Sequence, residues 1–183
     1  REDHRHTIIH ACLPTAEEIA VCERYHINLA VQTAFIDWPQ EPDCYLEQIL
    51  GERAGRLNPI RTFCEHGLIL SAGSDGPCTD PLLWMYKACN HSNPAESISV
   101  QQALRMCTYN GYYTTFDERE RGSLEAGKIA DMVLLDRNPY DIPKEELASV
   151  KVKQLYLRGQ EYKKGNGGGA AQILRGMIKR GKC

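Results

Sequence analysis

Three short runs of aliphatic and small residues constrain this chain more than any other feature: TIIH (Thr7–His10), NLAVQT (Asn28–Thr33) and LILSA (Leu68–Ala72). Each has strand length, and each leads through a loop into a segment with helical signals. After the first, PTAEEIAVCERYH offers Thr15 as an N-cap, with Glu17 and Glu18 in the first turn, where the helix dipole favours negative charge. Ile19, Cys22 and Tyr25 fall along one face of that helix. After the second run, the loop FIDWPQEPD precedes a helix around Tyr45–Leu50, and Asn58-Pro59 opens another, IRTFCEHG, closed by Gly67. After the third, helices are expected over Pro81–Cys89 and Val100–Phe116. Strand, loop and helix repeated at this spacing argue for parallel strands, because parallel neighbours need a long crossover and a helix is the usual one. The expected class is α/β.

The texture changes after Phe116. DERERGSLEAGK is polar and punctuated by glycine, ADMVLLD reads as a short buried strand, and NPYDIP reads as a turn. VKVKQLYLRGQEY then alternates apolar and polar, as a half-exposed strand should. The expected units are 1–116 with the strand–helix repeats, 117–162 as a second, β-rich element, and 163–183 as a glycine-rich linker with a basic tail. That tail reads as a solvated, weakly ordered terminus, with a short basic helix from about Ala170 as the alternative.

Composition bounds the function. The 183 residues are 42% hydrophobic and 25% charged, enough apolar side chains for one core. A formal net charge of −2 provides no field that would draw nucleic acid or a membrane surface. No apolar run approaches the ~20 residues of a transmembrane helix, and REDHRHTIIH is too polar for a signal peptide. Eight cysteines stand at 12, 22, 44, 64, 78, 89, 107 and 183 without a C-x-x-C pair, which argues against a structural zinc knuckle. They read as mostly buried free thiols of a reducing, cytoplasmic compartment. The chain begins on Arg, with a strand almost at once, so it is expected to be part of something longer.

Two residues stand where α/β sheets place their chemistry, at the carboxyl ends of strands. His10 ends the first run, and Asp75 follows the third in the turn Ser74-Asp75-Gly76-Pro77. Each also has a plain structural explanation. Imidazole satisfies itself readily on backbone groups, and Asp, Gly and Pro all favour turns. Together, however, an imidazole nitrogen and a carboxylate oxygen make a donor set suited to zinc or a similar divalent ion.

GSLEAGKIADMVLLDRNP, within Arg121–Tyr140, closely resembles the C-terminal signature of the amidohydrolase superfamily, metal-dependent hydrolases built on a TIM barrel with an appended small β-sandwich. SVQQALRMCTYNGYY resembles the final barrel helix of that family, SAGSDGP its strand-eight Asp loop, and RHTIIHA its strand-six segment with a metal-binding histidine. GERAGRLNPIRTFCEHGLILSAGSDGP is similar to the branch that includes N-substituted formamide deformylase. The resemblance runs over about residues 4–162. It implies the C-terminal part of a (β/α)8 barrel, about strands six to eight with their helices, plus terminal strands of the sandwich. A complete barrel takes ~250 residues, so the barrel here is expected to be incomplete. The resemblance further implies His10 as the strand-six metal ligand and Asp75 as the strand-eight carboxylate that binds or borders the metal. In that role Asp75 takes the proton of the attacking water and passes it to the leaving amine. The implied cofactor is a divalent metal, zinc first, and the implied substrate is a small molecule with an amide-like C–N bond.

Two departures bear on substrate contacts. Ile9 stands where that branch usually carries Glu before the histidine, and Thr33-Ala34-Phe35 follow Gln32 where strand seven often ends on a polar residue or histidine. The His-x-His pair of strand one and the strand-five ligand have no counterpart. His4-Arg5-His6 has the spacing but precedes a strand instead of ending one. The open edge is expected to be covered by the missing N-terminal part of the barrel or by a second copy, and the isolated chain to be inactive or nearly so. One alternative is a non-catalytic remnant serving as a self-associating or interaction module, with His10 and Asp75 vestigial. Another is a redox protein working through its cysteines. The loop Phe35–Asp43, with Trp38 and Pro39, is a candidate pocket lining or an ordinary exposed loop.

Overall fold

The computed structural model describes residues 3–163 apart from Pro77. The tail, with its alternative helix from Ala170, lies outside the described residues. In chain order the elements are β1 (Thr7–Ile9), α1 (Ala16–Arg24), β2 (Asn28–Val31), α2 (Asp43–Leu50), α3 (Ile60–Glu65), β3 (Leu70–Ala72), α4 (Pro81–Cys89), α5 (Val100–Cys107), α6 (Tyr109–Thr114), β4 (Met132–Leu135), β5 (Val152–Leu157) and β6 (Gln160–Glu161). Short 3₁₀ turns cover Thr33–Phe35, Gly51–Arg56, Pro94–Glu96 and Lys144–Ser149. Among the described residues, no helix is long and apolar enough to cross a membrane.

The first sheet is three-stranded and parallel in the order β1-β2-β3, with Ile8 opposite Leu29 and Leu29 opposite Leu70. Alternation divides its faces. Leu29, Val31 and Leu70 join Ile60 and Phe63 of α3, Met85 and Ala88 of α4, and Ala103 and Met106 of α5 in one core. One residue out of step, Asn28, Gln32 and Ser71 are also buried, so the opposite face of the sheet is polar.

Local signals fix most helix ends. Thr15 and Glu18 form a reciprocal capping box: the Glu18 N–H donates to Thr15 Oγ1 at 3.2 Å, and the Thr15 N–H to Glu18 Oε2 at 2.7 Å. Ile19 and Cys22 face the core, whereas Tyr25 lies past the last helical residue and is exposed. Pro81 opens α4 behind Asp80, whose Oδ1 accepts the Leu82 N–H at 3.0 Å.

The stretch expected as one helix over Val100–Phe116 is two, broken at Thr108 (φ −129°, ψ −98°). The break lets Asn110 Nδ2 donate to the Leu70 carbonyl at 2.8 Å. Leu29 N–H bonds to Ile69 O and Gly73 N–H to Val31 O, so in a parallel ladder the Leu70 carbonyl points away from β2. Asn110 therefore caps an edge of β3 that no strand pairs among the described residues.

The second sheet is three-stranded and antiparallel in the order β4-β5-β6. β5 and β6 form a hairpin across Arg158-Gly159, both at positive φ (53° and 74°), as a two-residue turn of matching twist requires. β4 was expected to be buried, but Val133 and Leu134 are about half exposed. Its apolar residues lie in a thin sheet of three strands with little packed over it. The GSLEAGKIAD segment acts here as a clasp. Asp131 pairs with Arg121 and accepts the Arg158 N–H at 2.8 Å, and Lys128 Nζ donates to the Glu118 carbonyl at 2.7 Å. Gly122 (φ 89°) lies so close to α6 that a Cβ there would meet the Tyr109 Cα at 3.0 Å.

A second clasp joins the start of β1 to the segment after α6. Arg5 makes a bidentate pair with Glu118, at 2.8 and 3.0 Å, while its guanidinium lies 3.9 Å from the Tyr113 ring centre and 4.2 Å from that of Phe116. On its other side β1 is bare: among the described residues it pairs with β2 alone. Ile8 and Ile9 are 45% and 65% exposed, and a 390 Å³ groove lined by Ile8, Leu13, Val21, Cys22 and Phe63 runs between β1 and α1.

Candidate functional site

The sheet ends place the two residues singled out by the sequence. His10 follows β1 directly, its N–H donating to the Ala30 carbonyl at 2.9 Å, so the last ladder bond holds its backbone. Its φ of 74° and that of Ala11, 52°, turn the chain sharply at that point. On β3, the Gly73 N–H bonds to Val31 O at 3.0 Å, and two residues later Asp75 adopts φ 49°, followed by Gly76 at 98°. Left-handed backbone is unusual and costly for non-glycine residues. Here it occurs at both candidate positions.

The two turns bring the side chains together. His10 Nε2 lies 3.5 Å from Asp75 Oδ2, with the side chains 41% and 59% exposed. Residues far apart in sequence thus meet at the carboxyl end of the parallel sheet, on an open surface. A neutral imidazole nitrogen and a carboxylate oxygen suit zinc or another borderline divalent ion. No group of three or more His, Cys, Asp or Glu side chains among the described residues could hold a metal. A catalytic zinc takes three protein ligands. The donor chemistry of the pair fits such an ion, but among the described residues the two donors fall short of that number.

His4 and His6 do not join them. His4 Nε2 bonds to the Tyr25 carbonyl at 2.9 Å, its Nδ1 accepts the His6 N–H at 3.0 Å, and the two rings stack at 4.6 Å, all ahead of β1. His91 is buried and satisfied, by Asn58 O at 3.0 Å and the Asn93 N–H at 2.9 Å, and burial lowers its pKa.

One feature beside the pair was not evident from spacing. The 3₁₀ turn after β2 lays the Phe35 ring against His10, at 5.9 Å between centres and 26° between planes. Trp38 meets Phe35 edge-on at 5.1 Å and 67°. The loop is anchored beneath by Thr33, Ala34 and Ile36, all buried, and from the side by Lys87, whose Nζ donates to the Asp37 carbonyl at 2.7 Å. Gln32, at the end of the central strand, is buried with its Oε1 lacking a partner among the described residues. The signal available in the sequence was an aromatic pair in a loop directly after a strand.

The described cysteines stand apart from this pair. Cys12, Cys22, Cys44, Cys64, Cys78, Cys89 and Cys107 are all free; Cys22 and Cys89 are buried, Cys44 is exposed and the others are half-buried. Burial pushes the Cys64 and Cys89 thiols up to about 11 and Cys107 up to about 12, which disfavours the reactive thiolate.

Comparison with known proteins gives the family. A sequence model of the amidohydrolase family matches residues 1–162. N-substituted formamide deformylase of Arthrobacter pascens is 34% identical over 113 residues, covering 57% of this chain and 21% of that protein. The crystal structure of an adenosine deaminase from Xanthomonas campestris with bound zinc superposes with a TM-score of 0.66 at 19% identity, over 96% of this chain and 42% of that one. That of an uncharacterized metal-dependent hydrolase from Pyrococcus furiosus gives 0.58 at 22% identity, over 69% and 27%. The present chain thus spans well under half the length of each of these proteins.

Proposed function

The chain belongs to the amidohydrolase family, and from that premise we propose that it is the C-terminal part of a metal-dependent hydrolase acting on amide-like C–N bonds of a small molecule. The observation that supports this reading is the approach of His10 Nε2 to Asp75 Oδ2, 3.5 Å apart at the carboxyl end of the sheet. In this reading β1, β2 and β3 are strands six to eight of a (β/α)8 barrel, residues 117–162 are strands of a small β-sandwich, and the protein works in the cytosol. His10 Nε2 is a ligand of a divalent metal, zinc first, and Asp75 binds or borders the same ion. Such an ion lowers the pKa of its bound water from 15.7 to about 7. Asp75 is then the base: its carboxylate holds the proton shed by the attacking water and delivers it to the leaving nitrogen, lone pair to proton, as the C–N bond breaks.

The remaining ligands come from outside these residues. The bare edge of β1 and the apolar groove beside it are the surface that an N-terminal barrel segment, or a second copy of the chain, would cover. Alone, the chain is inactive or nearly so. That same bare edge favours the second reading, a non-catalytic module that associates through it. Weak zinc binding separates the two. Zn²⁺ that shifts the His10 ring signals on titration, an effect abolished in Asp75→Ala, supports the hydrolase reading. A His10 ring whose response to Zn²⁺ is absent, or unchanged in Asp75→Ala, leaves only the module.

A further inference from the structure

We infer that His91 is a positioning residue for the candidate centre: through Asn58 it holds the turn that presents His10 to Asp75. The role rests on the hydrolase reading of that pair and adds what keeps His10 in place. The turn is held at both ends. His10 and Ala11 are both left-handed (φ 74° and 52°), a backbone state that persists only where the surroundings fix it. At the near end the His10 N–H bonds to the Ala30 carbonyl at 2.9 Å, and at the far end the Cys12 carbonyl accepts the Asn58 N–H at 2.7 Å. Asn58 is itself left-handed (φ 51°), although Pro59 follows it and pushes the preceding residue towards extended backbone. Two donors reach its carbonyl and hold it there, the Ile60 N–H at 2.7 Å and His91 Nε2 at 3.0 Å.

The surroundings of His91 suit it to that task. It is 6% exposed, and both ring nitrogens are engaged: Nδ1 accepts the Asn93 N–H at 2.9 Å, which puts the proton on Nε2, aimed at Asn58. Burial lowers its pKa, against the pull of Glu96 and Asp43 towards the charged form, and a neutral ring is the form this bonding needs. Its backbone is fixed as well. The His91 N–H donates to Ser97 Oγ at 3.2 Å just after α4, whose Ala88 and Cys89 are buried in the core. α4 is also the helix that follows the Asp75 loop. His91 thus ties the helix behind one member of the pair to the turn that carries the other.

The test is amide hydrogen exchange on the metal-free, ¹⁵N-labelled full chain, as wild type, His91→Leu and His91→Gln. Leucine removes both the donor and the acceptor, whereas glutamine keeps an N–H near the place of Nε2. In His91→Leu the protection of the Asn58 and His10 amides should fall about 3- to 10-fold, the effect of one lost hydrogen bond. That of Leu29 and Gly73, bonded within the sheet, should stay as in wild type, and His91→Gln should recover most of the loss. An unchanged His10 amide, an equal fall at Leu29 and Gly73, or no recovery with glutamine would overturn the inference. Should His91→Leu fail to fold, the wild-type ring decides: ¹⁵N shifts that place the proton on Nε2 support the hold on Asn58, and a proton on Nδ1 overturns it. Zn²⁺ is added last. Where it shifts the His10 ring, it should bind about 3- to 10-fold more weakly to His91→Leu, and equal binding would overturn the positioning role. Loss of the exchange pattern with the Zn²⁺ response intact sinks this inference alone. A wild-type His10 ring indifferent to Zn²⁺, with the exchange pattern as expected, sinks the hydrolase reading and leaves the hold on the turn standing.

Discussion

Replacing Arg5 with Ala tests whether the fold depends on the clasp between the first strand and the segment after α6. The Arg5 side chain is 10% exposed and that of Glu118 is 14%, and their two hydrogen bonds are 2.8 and 3.0 Å long. Removing one partner of a largely buried pair leaves the other charge desolvated, a loss of roughly 3–5 kcal/mol, and the lost contacts with the Tyr113 and Phe116 rings add to it. Taking the lower figure because the pair is not fully buried, we expect about 3 kcal/mol, a large part of the 5–15 kcal/mol typical of a domain. With an m-value of about 2 kcal/mol/M, the urea midpoint followed by circular dichroism falls by about 1.5 M. Arg5→Lys should recover little, because an ammonium lacks the planar fork. The pH dependence has a defined sign. The hydrogen bond from Arg5 holds the Glu118 carboxyl below the usual carboxylate range. Its stabilisation is thus complete above the unfolded value of about 4.3 and is lost as pH falls through the lower folded value. The difference between wild type and Arg5→Ala should shrink over that acid interval. A midpoint shift below about 0.3 M at neutral pH, as for an ordinary surface substitution, would refute the reasoning.

Thr15→Ala removes the capping box of α1 and should cost about 1 kcal/mol, with Thr15→Ser recovering most of it in the same urea assay. Phe63→Ala empties a site 1% exposed at the centre of the core and should cost about 3–5 kcal/mol, read as a lowered urea midpoint or as failure to accumulate folded protein. Among the described cysteines, Cys44 alone is exposed, so Cys44→Ser, made in a Cys183→Ser background, should abolish the fastest phase of reaction with a thiol reagent. Cys22 and Cys89, the buried pair, should react only on unfolding, and their early modification in native protein would contradict that burial.

The parts legible in the sequence are those that depend on neighbours in the chain. Thr15, read as an N-cap ahead of Glu17 and Glu18, marks a helix start through atoms a few residues apart, and the structure begins α1 there. The runs TIIH, NLAVQT and LILSA announced strands because aliphatic patterning is local, though their ordered parts are shorter. What was not legible depends on pairings across the chain. The break at Thr108 follows from the need of the Leu70 carbonyl for a donor, met by Asn110 forty residues away. Nothing in MVLL told that β4 would lie in a thinly covered sheet, since burial depends on what packs over a strand. The clasp of Arg5 on Glu118 spans 113 residues. At the candidate site, His10 and Asp75 were visible as residues after strands, and their separation of 3.5 Å came only with the parallel register. The aromatic pair beside His10 was half visible: Trp38 stood out, whereas the contact of Phe35 with His10 depends on how the 3₁₀ turn folds over the end of β1.

The central claim, that His10 and Asp75 are neighbouring donors of one divalent-metal centre, is tested most directly by adding Co²⁺ to the ¹⁵N-labelled full chain. Paramagnetic broadening falls steeply with distance and reports position even where binding is weak. The account predicts broadening centred on His10 and residues 74–76, abolished in both His10→Ala and Asp75→Ala. Broadening centred on His4 and His6, or unchanged by either substitution, would contradict it.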